Sequence, residues 1–146
     1  MLRAKRTIAA PPERVFGLLD DPVQMKRWMQ GLEETTFTAR DPDNPVGSRF
    51  RQRLREGDKV AEFDGEILAY ETPVHLAMRI GDEHFSVEVD YRLTAVEGGT
   101  RLDYAARPTH RTLQSRFLDA VLRPLTAGLV KRQMDSLKRV AEEERA

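Results

Sequence analysis

The sequence predicts an α+β fold in which a curved antiparallel sheet of about six or seven strands wraps around a long C-terminal helix. Three observations carry that prediction. The length, 146 residues, suits one ordinary domain spanning 1–146 that buries a core of its own. From Ser48 to Arg107 polar and apolar residues alternate between turn dipeptides. From Thr112 to Glu143 the apolar period lengthens to that of a helix.

The elements follow in chain order. Leu2 to Ala9 alternates as a first strand, and Pro11-Pro12 then presets the φ of a helix start. Val15, Phe16, Leu18 and Leu19 give that helix one apolar face. Asp20-Asp21-Pro22 ends it and opens a second short helix, with Asp21 as N-cap and Pro22 in its first turn, carrying Met25, Trp28 and Met29 to a close at Gly31. Leu32 to Arg40 reads as a strand. Asp41 to Gly47, rich in proline and turn formers, reads as a mobile loop.

The meander that follows is punctuated by Gly57-Asp58, Thr72-Pro73, Gly81-Asp82 and Gly98-Gly99. A two-residue turn at Gly57-Asp58 sets Glu56 opposite Lys59, Arg53 opposite Glu62, Arg51 opposite Asp64 and Arg49 opposite Glu66, each an opposite-charge pair. The other face then holds Phe50, Gln52 and Leu54 against Gly65, Phe63 and Ala61, which makes it the inner one. The same construction at the next turns sets Ala69 against Leu76, Ile67 against Met78, Met78 against Phe85, Leu76 against Val87, Ala95 against Leu102 and Leu93 against Tyr104. All of these fall on the inner face. In the terminal helix Leu113, Phe117, Val121, Leu125 and Leu129, with Leu118, Leu122, Val130, Met134 and Leu137, make a broad stripe. Pro124 removes one backbone hydrogen bond there and predicts a kink.

Composition narrows the function. Lysine plus arginine and aspartate plus glutamate each number 24, so there is no net field to hold a polyanion, and nucleic acid is not an expected partner. Of the alternating Arg49, Arg51, Arg53 and Arg55, three face carboxylates directly across the hairpin, and the row reads as a solvated outer face. No stretch approaches the roughly 20 apolar residues of a membrane span, and no export signal opens the chain, so the expectation is a cytoplasmic protein without stable membrane insertion. With no cysteine, and with His75, His84 and His110 dispersed, no metal or thiol chemistry is expected. No phosphate loop, dinucleotide fingerprint or nucleophile elbow occurs, so no cofactor is expected either.

The candidate site is the inner wall. Its apolar part comprises Phe50, Leu54, Phe63, Ile67, Met78, Phe85, Val87 and Val89 from the sheet, Trp28 from the second helix, and Phe117, Val121 and Leu125 from the terminal helix. Its polar members are Gln52, Tyr91 and Tyr104, each needing a partner that is a ligand, a water or another residue. Arg6 is in phase with Leu2, Ala4 and Ile8, and its fixed charge predicts a place at the sheet rim. The same register sends Glu62, Asp64, Glu66, His84, Glu88 and Asp90 outward, leaving Tyr91 and Tyr104 as the catalytic candidates if there is catalysis at all.

Ile8 through Phe16, Asp20-Asp21, Trp28, Gly47, Gly98-Gly99-Thr100-Arg101-Leu102 and the terminal Leu137-Lys138-Arg139 together resemble the START-like, or SRPBCC, superfamily over essentially the whole chain. That superfamily includes polyketide cyclase/dehydrase-like proteins, lipid-transfer domains, pollen-allergen-like proteins and activators of chaperone ATPases. The resemblance implies a helix-grip fold around an internal cavity and, as partner, a hydrophobic small molecule such as a lipid or polyketide. It also leaves open a cyclase, aromatase or dehydratase-like activity, and a protein-interaction module with a filled interior. Its motifs mark the fold rather than a reaction.

Overall fold

The computed structural model describes residues 2–81, 85–111 and 127–143. Strand β1 (Leu2–Ile8) is followed by helices α1 (Pro12–Asp20) and α2 (Pro22–Trp28), then by β2 (Leu32–Ala39), β3 (Arg49–Glu56), β4 (Lys59–Glu71), β5 (His75–Gly81), β6 (Phe85–Val96) and β7 (Gly99–Arg111), and by helix α3 (Ala127–Glu143). The strands form one seven-stranded antiparallel sheet in the order β1-β7-β6-β5-β4-β3-β2, so the first two strands in sequence are its two edges. The part of the predicted terminal helix before Ala127, with Pro124 in it, lies outside the described residues, as do Phe117, Val121 and Leu125.

Local chemistry sets the helix ends. Pro11 stands as N-cap of α1 in an extended conformation with a proline at the next position. Asp21 caps α2 as predicted, its carboxylate accepting the Val23 amide at 2.8 Å. The Trp28 indole N–H donates to the Leu18 carbonyl at 2.7 Å inside the core, fastening α2 onto α1.

The β3–β4 register is as predicted at every pair, from Arg49↔Glu66 to Glu56↔Lys59. Arg51 reaches Asp64 at 3.0 Å and Arg53 reaches Glu62 at 3.3 Å, while Arg55 finds Glu33 on β2 at 2.8 Å. Three later pairings differ from expectation. Ile67 does face Met78, but an irregularity between Ile67 and Ala69 then sets Ala69 opposite Ala77 and Tyr70 opposite Leu76. One inserted residue exchanges the faces, so Tyr70 turns inward in place of Ala69.

Between β5 and β6, Met78 faces Val89 and Leu76 faces Tyr91, not Phe85 and Val87. The adopted register sets Gly81 opposite Ser86, Arg79 opposite Glu88 and Ile80 opposite Val87. At the last hairpin Val96 faces Gly99, so Leu93 meets Leu102 rather than Tyr104, and Ala95 meets Thr100 rather than Leu102. The turn is Glu97-Gly98, with Gly98 at φ 80°. Gly99 opens the strand, and a side chain is excluded at that position because a Cβ there would run into the Ile8 carbonyl of β1. Both registers differ from the expected ones by an even number of residues, so the faces are preserved.

The core lies between the inner face of the sheet and the helices. Ile8, Phe50, Ile67, Leu76, Met78, Val87, Val89, Leu93 and Leu102 are buried there against Phe16 and Leu19 of α1 and Val130, Met134 and Leu137 of α3. Two polar ties hold α3 along β1: Arg6 Nε donates to Asp135 at 2.7 Å, and the Ala9 amide donates to Glu142 at 2.8 Å. Arg6 thus sits at the rim with a carboxylate partner, its side chain 21% exposed.

Candidate functional site

The inner wall carries two polar stations. At the β2–β3 end, Gln52 is buried opposite Phe63 and donates to the Thr35 hydroxyl at 3.3 Å. The Met25 sulfur lies 3.8 Å from the Gln52 amide and 3.7 Å from the Thr35 hydroxyl, a soft third member of the cluster. Next to it the Tyr70 phenol donates to Asp20, at the end of α1, at 2.7 Å. Burial, then the Asp20 carboxylate, push the Tyr70 phenol up to about 12. The space enclosed by Asp20, Met25, Thr35, Phe50, Ile67, Met78 and their neighbours is about 10 Å³, about the room one water requires. This end of the interior is filled by its own side chains.

The second station is the tyrosine pair. Tyr91 and Tyr104 face each other directly across β6 and β7, with ring centroids 5.3 Å apart at 60°. Both are buried on the inner face. Among the described residues neither hydroxyl has a hydrogen-bond partner. Burial, then the neighbouring Tyr104, push the Tyr91 phenol well above its ordinary value, and burial holds Tyr104 at about 12. Two neutral phenols are therefore available at physiological pH as hydrogen-bond donors in an apolar setting.

Of the sequence candidates, Phe50, Ile67, Met78, Val87 and Val89 are buried on this wall, and Leu54 and Phe63 are half-buried at its β3–β4 end. Trp28 is buried with its N–H already committed to α1. The Phe85 side chain lies outside the described residues. The register calculation places no acid on the inner wall, yet Asp20 lines it and Tyr70 joins it. Strand alternation cannot see either residue: Asp20 arrives from a helix end, and Tyr70 arrives through the bulge after Ile67.

A wider hollow of about 500 Å³ lies on the opposite face of the sheet, lined by residues that include Glu88, Asp90, Arg92 and Arg107. Arg107 bonds Glu88 at 2.9 Å and Arg92 bonds Asp90 at 3.1 Å, so the charges on that surface are paired with one another.

Comparison with known proteins agrees with this geometry. The family model described as polyketide cyclase / dehydrase and lipid transport matches residues 2–142. A crystal structure of a Rhodobacter sphaeroides protein superposes with a TM-score of 0.74 at 22% identity, covering 99% of this chain and 93% of that one. A protein from Thermus thermophilus gives 0.73 at 21% identity, with 99% of each chain covered. The structure of Ara h 8.0201 gives 0.73 at 14% identity over 98% of this chain and 97% of that one. At such identities the likeness is one of fold. No match is found among the curated proteins.

Proposed function

The chain belongs to the polyketide cyclase / dehydrase and lipid transport family, and from that premise we propose that it binds a hydrophobic small molecule, of lipid or polyketide type, between the sheet and the C-terminal helix. The observation that carries the reading is the Tyr91–Tyr104 pair: two buried, neighbouring phenols beside Val87, Val89 and Leu93 on the inner wall, with no hydrogen bond from either hydroxyl to the described residues. A ligand carbonyl or hydroxyl arriving there would give the phenols an acceptor, a neutral hydrogen bond contributing roughly 0.5 to 1.5 kcal/mol. The driving force is desolvation of the ligand, about 25 cal/mol per Å² of apolar surface, and the tyrosines orient it. The contact wall in this proposal is Val87, Val89, Tyr91 and Tyr104, with Phe85, Phe117, Val121 and Leu125 as further members. Gln52, Phe50, Leu54, Phe63, Ile67, Met78 and Trp28 shape its far end. Passage would be gated by the loop from Asp41 to Gly47 and by the segment around Pro124.

The same pair favours a second reading, a cyclase- or dehydratase-like reaction in which a phenol donates its proton while the cavity folds a reactive chain. With Tyr104 held at about 12 and Tyr91 raised well above its ordinary value by burial, these residues are donors and not bases at neutral pH.

Titration with an uncharged, environment-sensitive apolar fluorophore tests the proposal. Saturation at one equivalent is expected, and a carbonyl-bearing competitor is expected to displace the fluorophore about three- to tenfold less effectively in Tyr104→Phe. A linear, non-saturating response would instead favour a module whose interior is closed and whose partners are proteins. Turnover of a polyketide-like substrate that collapses in Tyr91→Phe while binding survives would establish the second reading.

A further inference from the structure

Helix α3 runs alongside edge strand β1, and their polar ties can be measured against each other. From Arg6 to Ala9 the strand advances about 10 Å. From Asp135 to Glu142 the helix advances about 10.5 Å. The two elements therefore keep pace, which is why Asp135 meets Arg6 and Glu142 meets the Ala9 amide. One helical turn before Asp135, about 6 Å back, stands Lys131, abreast of Ala4 on the strand. Here the series of ties ends: β1 offers the methyl of Ala4 and no carboxylate, and among the described residues Lys131 makes no ion pair.

A groove of about 250 Å³ opens at that point, lined by Leu2, Arg3, Ala4, Arg6, Val130 and Lys131. Its floor is apolar, since Val130 is buried and Leu2 and Ala4 pack against the core. Its rim carries Lys131 and Arg6, with Asp135 on Arg6 as an adjoining carboxylate among the described residues. Beyond the floor, Ala4 is the direct cross-strand neighbour of Tyr104.

We propose that this groove holds the anionic head of an amphiphilic ligand, a long-chain carboxylate. Lys131 takes the head, Arg6 shares itself between the head and Asp135, and the chain passes over Ala4 and Val130 toward the tyrosines. This assignment rests on the hydrophobic-ligand reading above and adds to it the charge of the ligand and the place of its head. Apolar floor and cationic rim are complementary to that chemistry, whereas an uncharged ligand would leave Lys131 without a role.

A fluorescent polyene fatty acid and its methyl ester, titrated in parallel into the full-length protein, test the assignment. The acid is expected to bind about five- to tenfold more tightly than the ester at low salt, with the gap narrowing as salt rises. Lys131→Gln, at an exposed helical position with little effect on folding, is expected to bring the acid close to the ester and leave the ester unchanged. Lys131→Glu is expected to put the acid below it. Equal affinities that Lys131→Gln and Lys131→Glu leave equal would overturn the head-group assignment and leave hydrophobic binding standing. Failure of both probes to saturate would overturn the two together.

Discussion

Tyr104 and Tyr91 owe their perturbed acidity to burial first, which ties a stability measurement to the site itself. Tyr104 is held at about 12 against an ordinary 10.0, so the folded protein retains that proton more firmly than the unfolded chain. The sign is fixed by that direction: the contribution is whole below pH 10 and disappears as pH rises toward about 12. For one group a rise of that size corresponds to at most about 2 to 3 kcal/mol. Urea unfolding at pH 9 and pH 11.5 should therefore show a smaller alkaline loss in Tyr104→Phe than in the parent protein. Equal losses would mean that the phenol is solvated in the folded state.

At the scale of elements, the hairpins show what an amino-acid sequence can and cannot specify. The Gly57-Asp58 turn is readable because two independent patterns agree on one register, the charge pairs outside and the Phe50, Gln52, Leu54 row inside. The Gly98-Gly99 dipeptide misleads because one of its glycines serves the approach of β1, a contact between strands far apart in sequence. The bulge after Ile67 has no local signature at all, and it alone moves Tyr70 inward to meet Phe16, with rings 5.3 Å apart, and Asp20. Gly65 is a similar case: a Cβ there would fall within the ring of Phe50, its cross-strand partner. Gly65→Ala should therefore cost about 1 to 3 kcal/mol in chemical denaturation, and Phe50→Leu in the same chain should recover part of it. Additive losses would show that Phe50 yields freely and that Gly65 is not there for packing.

Over the whole molecule, fold and face are legible in the sequence while the empty space is not. Alternation with period two fixes which side of each strand is inner, and even-numbered register errors leave that side unchanged, so Tyr91 and Tyr104 are identifiable as inward residues without the correct pairing. Whether inward space is filled depends on volumes summed over elements distant in sequence. Thus Gln52, a ligand candidate as an isolated polar residue in an apolar row, stands near a space of about 10 Å³ and has Thr35 as a partner, neither of which alternation along the strand reveals. The sheet, the gripping helix and the family all point to an interior that receives an apolar guest. Native mass spectrometry of the freshly purified protein bears on that most directly. The account predicts a population carrying one small-molecule adduct that is lost on activation and displaced by added long-chain carboxylate. A spectrum of the bare chain alone, unchanged by excess fatty acid, would contradict it.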